Sequence, residues 1–216
     1  MIIALCGKSA SGKDTVQAEL FNRKDRDYEK LISSTTRPMR PGEVNGREYY
    51  FRSNEEFLSL MNEEKLIEHR AYDTLVDGVP DTWYYGLEKR ELDDSKTYLT
   101  ILDLDGLKGV IDYYGANNVT GIYLDVTDKL RTDRCKSRGD FNRKEWNRRL
   151  AADRADFSSD RLRSLDVVTI KVMERDTPSV LANKVEEIMG FLKCLQENCG
   201  HSFIGLDADN LDEPEL

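Results

Sequence analysis

Met1-Ile2-Ile3-Ala4-Leu5-Cys6-Gly7-Lys8-Ser9-Ala10-Ser11-Gly12-Lys13-Asp14-Thr15 decides the fold of this chain. The first six residues form an apolar run short enough to be a buried strand, and Val16 to Phe21 reads as a helix. A strand, a glycine-bounded loop closing on lysine, and then a helix make a phosphate-binding loop. Gly7 and Gly12 permit backbone torsions that other residues resist, so the amides of Ser9, Ala10 and Ser11 can turn inward around one anion. The helix that starts near Lys13 adds its positive end and its unpaired N–H donors. Lys13 supplies a full, mobile charge for the outer phosphates. Where such loops place a hydroxyl that holds magnesium, this chain has Asp14, with Thr15 next. A carboxylate is a good hard-oxygen ligand for magnesium, and Thr15 can still bond a phosphate.

A chain of 216 residues has room for one well-buried core with small appendages. Its net charge of −9 is unevenly spread: Cys194 to Leu216 holds six acids and no Lys or Arg, whereas Lys129 to Arg163 holds twelve basic residues against six acidic ones. A basic stretch inside an acidic chain points to a specific anion site and away from nucleic acid as a partner. No apolar run approaches a membrane span, and the apolar start is too short for a signal-peptide core, so neither a membrane partner nor export is expected. Cys6, Cys135, Cys194 and Cys199 are dispersed, and Cys194, Cys199 and His201 lack the fourth ligand of a closed metal site. That usage fits reduced thiols in the cytoplasm.

Further along, Tyr28 to Ser33 reads as a second strand, followed by a turn-rich stretch from Pro38 to Gly46 and a short strand at Glu48 to Phe51. Ser53-Asn54-Glu55-Glu56 is a capping box that opens a helix to about Met61. Ile67 to Tyr72 and Thr82 to Tyr85 are candidate paired strands joined near Asp77-Gly78, and Leu87 to Leu92 reads as a short helix. Tyr98 to Leu102, Val119 to Asp125 and Val167 to Val172 are strands; helices are expected from Asp128 through Ser137, from Arg143 to about Asp156 after an Asn142 cap, and from Pro178 to before Gly200. Strands alternating with helices after a phosphate loop imply an α/β fold with a parallel sheet covered on both faces.

A second anion site is suggested by Ser33, Arg37, Arg40 and Tyr49, which gather hydroxyls and two guanidiniums in the turn-rich segment. Arginine forks suit phosphate oxygens. The whole stretch, Ser33-Ser34-Thr35-Thr36-Arg37-Pro38-Met39-Arg40-Pro41-Gly42-Glu43-Val44-Asn45-Gly46-Arg47-Glu48-Tyr49, closely resembles the signature of the guanylate kinases. The likeness runs from Met1 to about Asn183 and includes Ile67-Glu68, Tyr84-Tyr85-Gly86, Leu102-Asp103-Leu104-Asp105, Arg134, Arg138-Gly139 and Arg148-Arg149-Leu150.

The resemblance implies a P-loop NTPase-type three-layer fold with a parallel β-sheet core, an NMP-binding subdomain and a lid. The expected kinase-like domain is 1–200: core 1–32, 93–135 and 158–200, NMP-binding subdomain 33–92, lid 136–157. An acidic, disordered tail is expected at 201–216. The implied activity is transfer of phosphate from ATP, with Mg2+, to a nucleoside monophosphate, most simply (d)GMP. Gly7 and Ser9 to Thr15 would hold ATP, and Ser33, Arg37, Arg40 and Tyr49 the acceptor phosphate. Glu68 matches the carboxylate that reads the base, since guanine offers two adjacent donors that one carboxylate can accept. Tyr85 would border that acceptor pocket. Asp103 and Asp105, two apart on one strand, would face the same side at the carboxyl end of the sheet. There the resemblance gives Asp103 to magnesium water, alongside Asp14, and Asp105 to the acceptor base. Arg134 and Arg138, four apart on a helix, and Arg149 on the next match the lid arginines that act with Lys13 and Arg37 in catalysis. Arg131, Arg143 and Arg148 have no match and are expected on a solvated face.

The chain departs from the family at Leu87, where a base-reading hydroxyl is usual, and in a longer Asp73 to Trp83 segment. These leave open a different or modified nucleoside monophosphate as acceptor. A non-catalytic interaction module on the same fold would be expected to lose the loop lysine, which this chain keeps.

Overall fold

Successive side chains of a strand point to opposite faces, and β1 (Ile2–Cys6) is buried at all five positions. The computed structural model, which describes residues 1–76, 79–137 and 141–198, shows where those faces go. Ile3 and Leu5 enter one hydrophobic core, while Ile2, Ala4 and Cys6 enter another on the opposite side. The chain continues with α1 (Lys13–Phe21), β2 (Tyr28–Lys30), β3 (Ser34–Thr35), β4 (Tyr50–Phe51), α2 (Asn54–Asn62), β5 (Leu66–Val76), β6 (Val79–Glu88) and β7 (Thr97–Ile101). Then follow α3 (Leu104–Tyr114), β8 (Val119–Asp125), α4 (Asp128–Ser137), α5 (Arg143–Asp156), α6 (Ser159–Ser164), β9 (Val168–Lys171) and α7 (Pro178–Asn198).

Five parallel strands in the order β2-β7-β1-β8-β9 form the main sheet. Val16 and Leu20 of α1, with Leu181 and Val185 of α7, cover the Ile3 face; Leu107 and Val110 of α3 cover the Ile2 face. This is the three-layer α/β arrangement expected. A second sheet, ordered β4-β3-β6-β5, carries a long antiparallel hairpin paired from Leu66 with Glu88 to Val76 with Val79. Its supporting helix, α2, opens with the capping box of Ser53 and Glu56. Fully buried Phe57 of α2 stacks on Tyr84, with ring centroids 5.6 Å apart.

Several local expectations are corrected. The second strand ends at Lys30, because Ser34 and Thr35 pair instead with Tyr50 and Phe51 on one side and with Gly86 and Tyr85 on the other. No helix spans 87–92: Leu87 and Glu88 finish β6, and Leu87, only 2% exposed, packs in the core on the α3 side. Its apolar side chain fits a strand facing a core as well as a helix, and pairing with β5 settles the matter. Asp103 and Asp105 do not lie on a strand. β7 stops at Ile101, and Asp103 is the N-cap of α3, accepting a hydrogen bond from the Gly106 amide at 2.9 Å; Asp105 stands in that helix's first turn. The helices at Asp128–Ser137 and Arg143–Asp156 appear with the expected bounds, and Asn142 caps the second by accepting from the Lys144 and Glu145 amides. The Asp77-Gly78 turn, Arg138, Cys199, His201 and the acidic end lie outside the described residues. Among the described residues, no helix is long and apolar enough to cross a membrane.

Phe57 fixes α2 to the second sheet, so Phe57→Ala should lower the unfolding free energy by about 3–5 kcal/mol. Urea denaturation checks this, and a loss under about 1 kcal/mol would mean that α2 is not anchored there.

Candidate active site

The loop after β1 turns because Gly12 adopts a left-handed conformation, φ 99°, at the point where α1 begins. The Lys13 ammonium folds back and donates to the Gly7 carbonyl at 2.6 Å and the Lys8 carbonyl at 3.3 Å. Burial holds its pKa below the usual lysine range, opposed by the nearby Asp14 charge. The Ser11 hydroxyl is buried beside it with no hydrogen-bond partner among the described residues. A half-buried cation held by carbonyls and an orphaned hydroxyl together fit an oxyanion such as a phosphate.

This loop is braced from behind by an arginine expected to be solvated. Arg131 is 0% exposed, and it donates to the Ser9 carbonyl at 2.9 Å, to Asp153 at 2.6 Å and to Asp128 at 2.6 Å. Asp153, on α5, in turn accepts from the Ser9 amide at 3.1 Å and the Ser9 hydroxyl at 3.2 Å. The Arg131 guanidinium also lies 5.7 Å from the Trp146 ring centroid. Asp128 is a local partner on the same helix, but Asp153 lies twenty-two positions away on α5 and Ser9 in the loop, which no local pattern announces. Arg134 reaches the loop, donating to the Ser11 carbonyl at 2.8 Å. Arg149 does not reach the loop: it donates to Glu145 at 2.8 Å on the exposed side of α5. Arg148 shares Glu145, whose carboxyl is pulled down to about 2 by Arg148 first and then Arg149. Arg148 also bonds the Tyr72 hydroxyl and lies over its ring at 5.2 Å, so α5 touches the β5–β6 hairpin.

A cavity of about 230 Å³ opens beside the loop, lined by Ser33, Arg37, Arg40, Tyr49, Tyr85 and, from the loop side, Asp14. Five sequence-predicted acceptor residues thus converge on one space with a carboxylate of the phosphate loop. Arg37 is 4% exposed, lies 5.5 Å from both the Tyr49 and Phe51 ring centroids, and donates to Glu43 at 2.7 and 3.0 Å. Glu43 also accepts from the Arg40 amide at 2.7 Å, and the Arg37 hydrogen bonds hold its carboxyl below the usual range. Glu43 went unnoticed in the sequence; a lone acid in a Pro-Gly turn carries no periodic signal. Its carboxylate sits on the Arg37 guanidinium and on the Arg40 backbone amide.

Glu68 lies apart from that cavity's walls, between β5 and α3. A Cβ on Gly109 would stand 2.9 Å from the Glu68 Cβ, so only glycine lets the helix approach this closely. Burial raises the Glu68 pKa, while Arg70 opposes the shift. Asp103 forms an ion pair with Arg70, and Asp105 with Arg161. Their carboxylates therefore diverge, and Asp103 is committed to a helix cap and to an arginine. No cluster of three or more His, Cys, Asp or Glu able to hold a metal occurs among the described residues. Asp14 is the exposed carboxylate opening on the cavity. A single carboxylate suits magnesium when substrate phosphates and water complete its shell.

Residues 1–171 match the family model described as guanylate kinase. The guanylate kinase of Enterococcus faecalis is 36% identical over 112 residues, covering 52% of this chain and 53% of that one. That of Lactiplantibacillus plantarum is 44% identical over 80 residues, 37% of this chain and 39% of the relative. The matches thus span about half, or less, of these relatives' length. A solved guanylate kinase from Anaplasma phagocytophilum superposes with a TM-score of 0.60 at 21% identity, covering 94% and 96% of the two chains, and shares the fold.

Arg131→Ala strands the buried Asp153 carboxylate, so it should destabilise the chain by about 3–5 kcal/mol. The double variant Arg131→Leu with Asp153→Leu should recover most of that loss in the same denaturation experiment. A neutral single variant would show that the pair does not brace the loop.

Proposed function

We propose, since the chain belongs to the guanylate kinase family, that it transfers the γ-phosphoryl group of ATP to GMP or dGMP, giving ADP and GDP or dGDP. The observation that carries this reading is the cavity of Arg37, Arg40, Tyr49 and Ser33 opening against the phosphate loop at Asp14. Lys13 and the amides of residues 9–15 would hold the β- and γ-phosphates of ATP. Arg37 would exchange Glu43 for the acceptor phosphate, aided by Arg40 and by the hydroxyls of Ser33 and Tyr49. An acceptor phosphate oxygen then attacks the γ-phosphorus in line, that bond forms as the bridge to the β-phosphate breaks, and ADP departs. No general base is required, because a phosphate monoester is already ionised near neutrality. Positioning and electrostatics supply the rate.

Magnesium, which in such reactions neutralises charge on the β- and γ-oxygens, would be held by Asp14. Arg134 already borders the loop; Arg138 and Arg149 would join it as the lid (136–157) closes over the core and the NMP-binding subdomain (33–92). Closure also keeps water from the γ-phosphate. Glu68 would accept the two adjacent donors of guanine. Leu87 does not weigh against guanine, because its side chain is packed in the core. Retention of Lys13 and Arg37 argues against a non-catalytic module. The dispersed cysteines and anionic small-molecule substrates suit a cytoplasmic enzyme.

A coupled assay of ADP release across GMP, dGMP, AMP, CMP and dTMP tests the reading, with turnover expected on the two guanine nucleotides. Lys13→Ala and Arg37→Ala should each lower kcat by ~10³ or more, the order lost with such cations. Near-normal turnover in either folded variant, or a preference for AMP, would reject the assignments.

A further inference from the structure

The acceptor-side face of β5 carries a second charged group beside Glu68. Residues two apart on a strand share a face, and Arg70 stands two positions beyond Glu68. In the hairpin register Arg70 lies directly across from Tyr85, which lines the acceptor cavity, just as Glu68 lies across from Leu87. Directly opposed residues of an antiparallel pair project from the same face, so Glu68, Arg70 and Tyr85 form one strip leading to the cavity.

Arg70 is fixed, and one nitrogen of its guanidinium, with two N–H donors, is left over. Asp103, the cap of α3, holds one end of its guanidinium as an ion pair. Its Nε is buried with no hydrogen-bond partner among the described residues, 3.6 Å from Glu68 Oε2. The side chain as a whole remains 36% exposed. Nε is closed to solvent and stands at ion-pair distance from Glu68, so the donors left for a ligand are those of Nη2, on the partly exposed end of the guanidinium, from which no described residue accepts.

We propose that Arg70 is a base-reading residue: with Glu68 it matches the edge of guanine, donating to O6 and N7 while Glu68 accepts from N1–H and the exocyclic amine. This rests on the guanine-nucleotide kinase reading above. The edge of guanine runs donor, donor, acceptor, acceptor, and the β5 strip runs carboxylate, then guanidinium, in the same order. Arginine donating to O6 and N7 is the commonest specific contact to guanine wherever proteins read it. Adenine places an amine where guanine has O6 and an acceptor where guanine has N1–H, so it meets the strip with both polarities reversed. Selectivity in this chain then needs no hydroxyl at position 87.

The test compares GMP with 7-deaza-GMP, which lacks only the N7 acceptor, and with IMP, which lacks only the exocyclic amine, by calorimetric titration. The unmodified protein should bind 7-deaza-GMP about tenfold or more weakly than GMP, the loss expected for one bond to a charged donor. Arg70→Met should bind GMP and 7-deaza-GMP alike while still preferring GMP over IMP, because that preference belongs to Glu68. Equal affinity of the unmodified protein for GMP and 7-deaza-GMP overturns the assignment without any variant. So does an Arg70→Met protein that weakens all three nucleotides in the same proportion, which is the mark of a purely structural arginine. Failure to bind GMP at all would overturn this inference and the kinase reading together, whereas failure on 7-deaza-GMP alone leaves the kinase reading standing.

Discussion

Two polyanions cannot be brought phosphate to phosphate without opposing charge. Unit charges of like sign ~4 Å apart repel by about 4 kcal/mol at an effective dielectric near 20, and each nucleotide carries several. A protein that joins them must therefore hold cations in fixed places before either ligand arrives. On the proposed function, that requirement accounts for most of what distinguishes this chain: a glycine-shaped loop with a half-buried ammonium, an arginine cavity on a separate small sheet, and a basic helical pair that touches both.

Held cations repel one another as well, and the chain answers this with internal carboxylates. Glu43 sits on Arg37, Asp153 on Arg131, Glu145 on Arg148 and Arg149, and Asp103 on Arg70. Arg131 and Asp153 are both deeply buried and serve as fixed bracing of the loop. Glu43 and Glu145 are partly exposed, which suits carboxylates that give way to a substrate phosphate. On the proposed function the same pairing would do two jobs, separated by burial. In the loop itself Lys13 is held by carbonyl oxygens, with its ammonium set for an anion.

The parts legible in the sequence were those set by local chemistry. A strand, a glycine-bounded loop and a helix announce themselves within twenty residues, and so do the Ser53 capping box and the Asn142 cap. The Arg37 to Tyr49 segment was legible because its residues are neighbours in sequence as well as in space. What escaped depends on partners far along the chain. Arg131 looks like any helical surface arginine until Asp153 arrives from another helix. Asp103 and Asp105 look like strand residues, since Leu102-Asp103-Leu104-Asp105 alternates with a period of two; in the fold the alternation straddles the start of α3, and a carboxylate at Asp103 is worth more as a cap for the Gly106 amide. Leu87 was misjudged for the same reason: its destination is a core assembled from β1, β7 and α3.

The central claim is that Lys13 and its loop grip one nucleotide while Arg37 and Arg40 grip the other end to end. A crystal structure with an adenosine–guanosine bisubstrate joined through its phosphates tests it most directly. The account predicts the phosphate chain lying from the Lys13 ammonium to the Arg37 guanidinium, with Glu43 displaced from Arg37 and the purine of the acceptor against Glu68. An acceptor phosphate bound away from Arg37 and Arg40, with the Arg37–Glu43 pair intact, would contradict it.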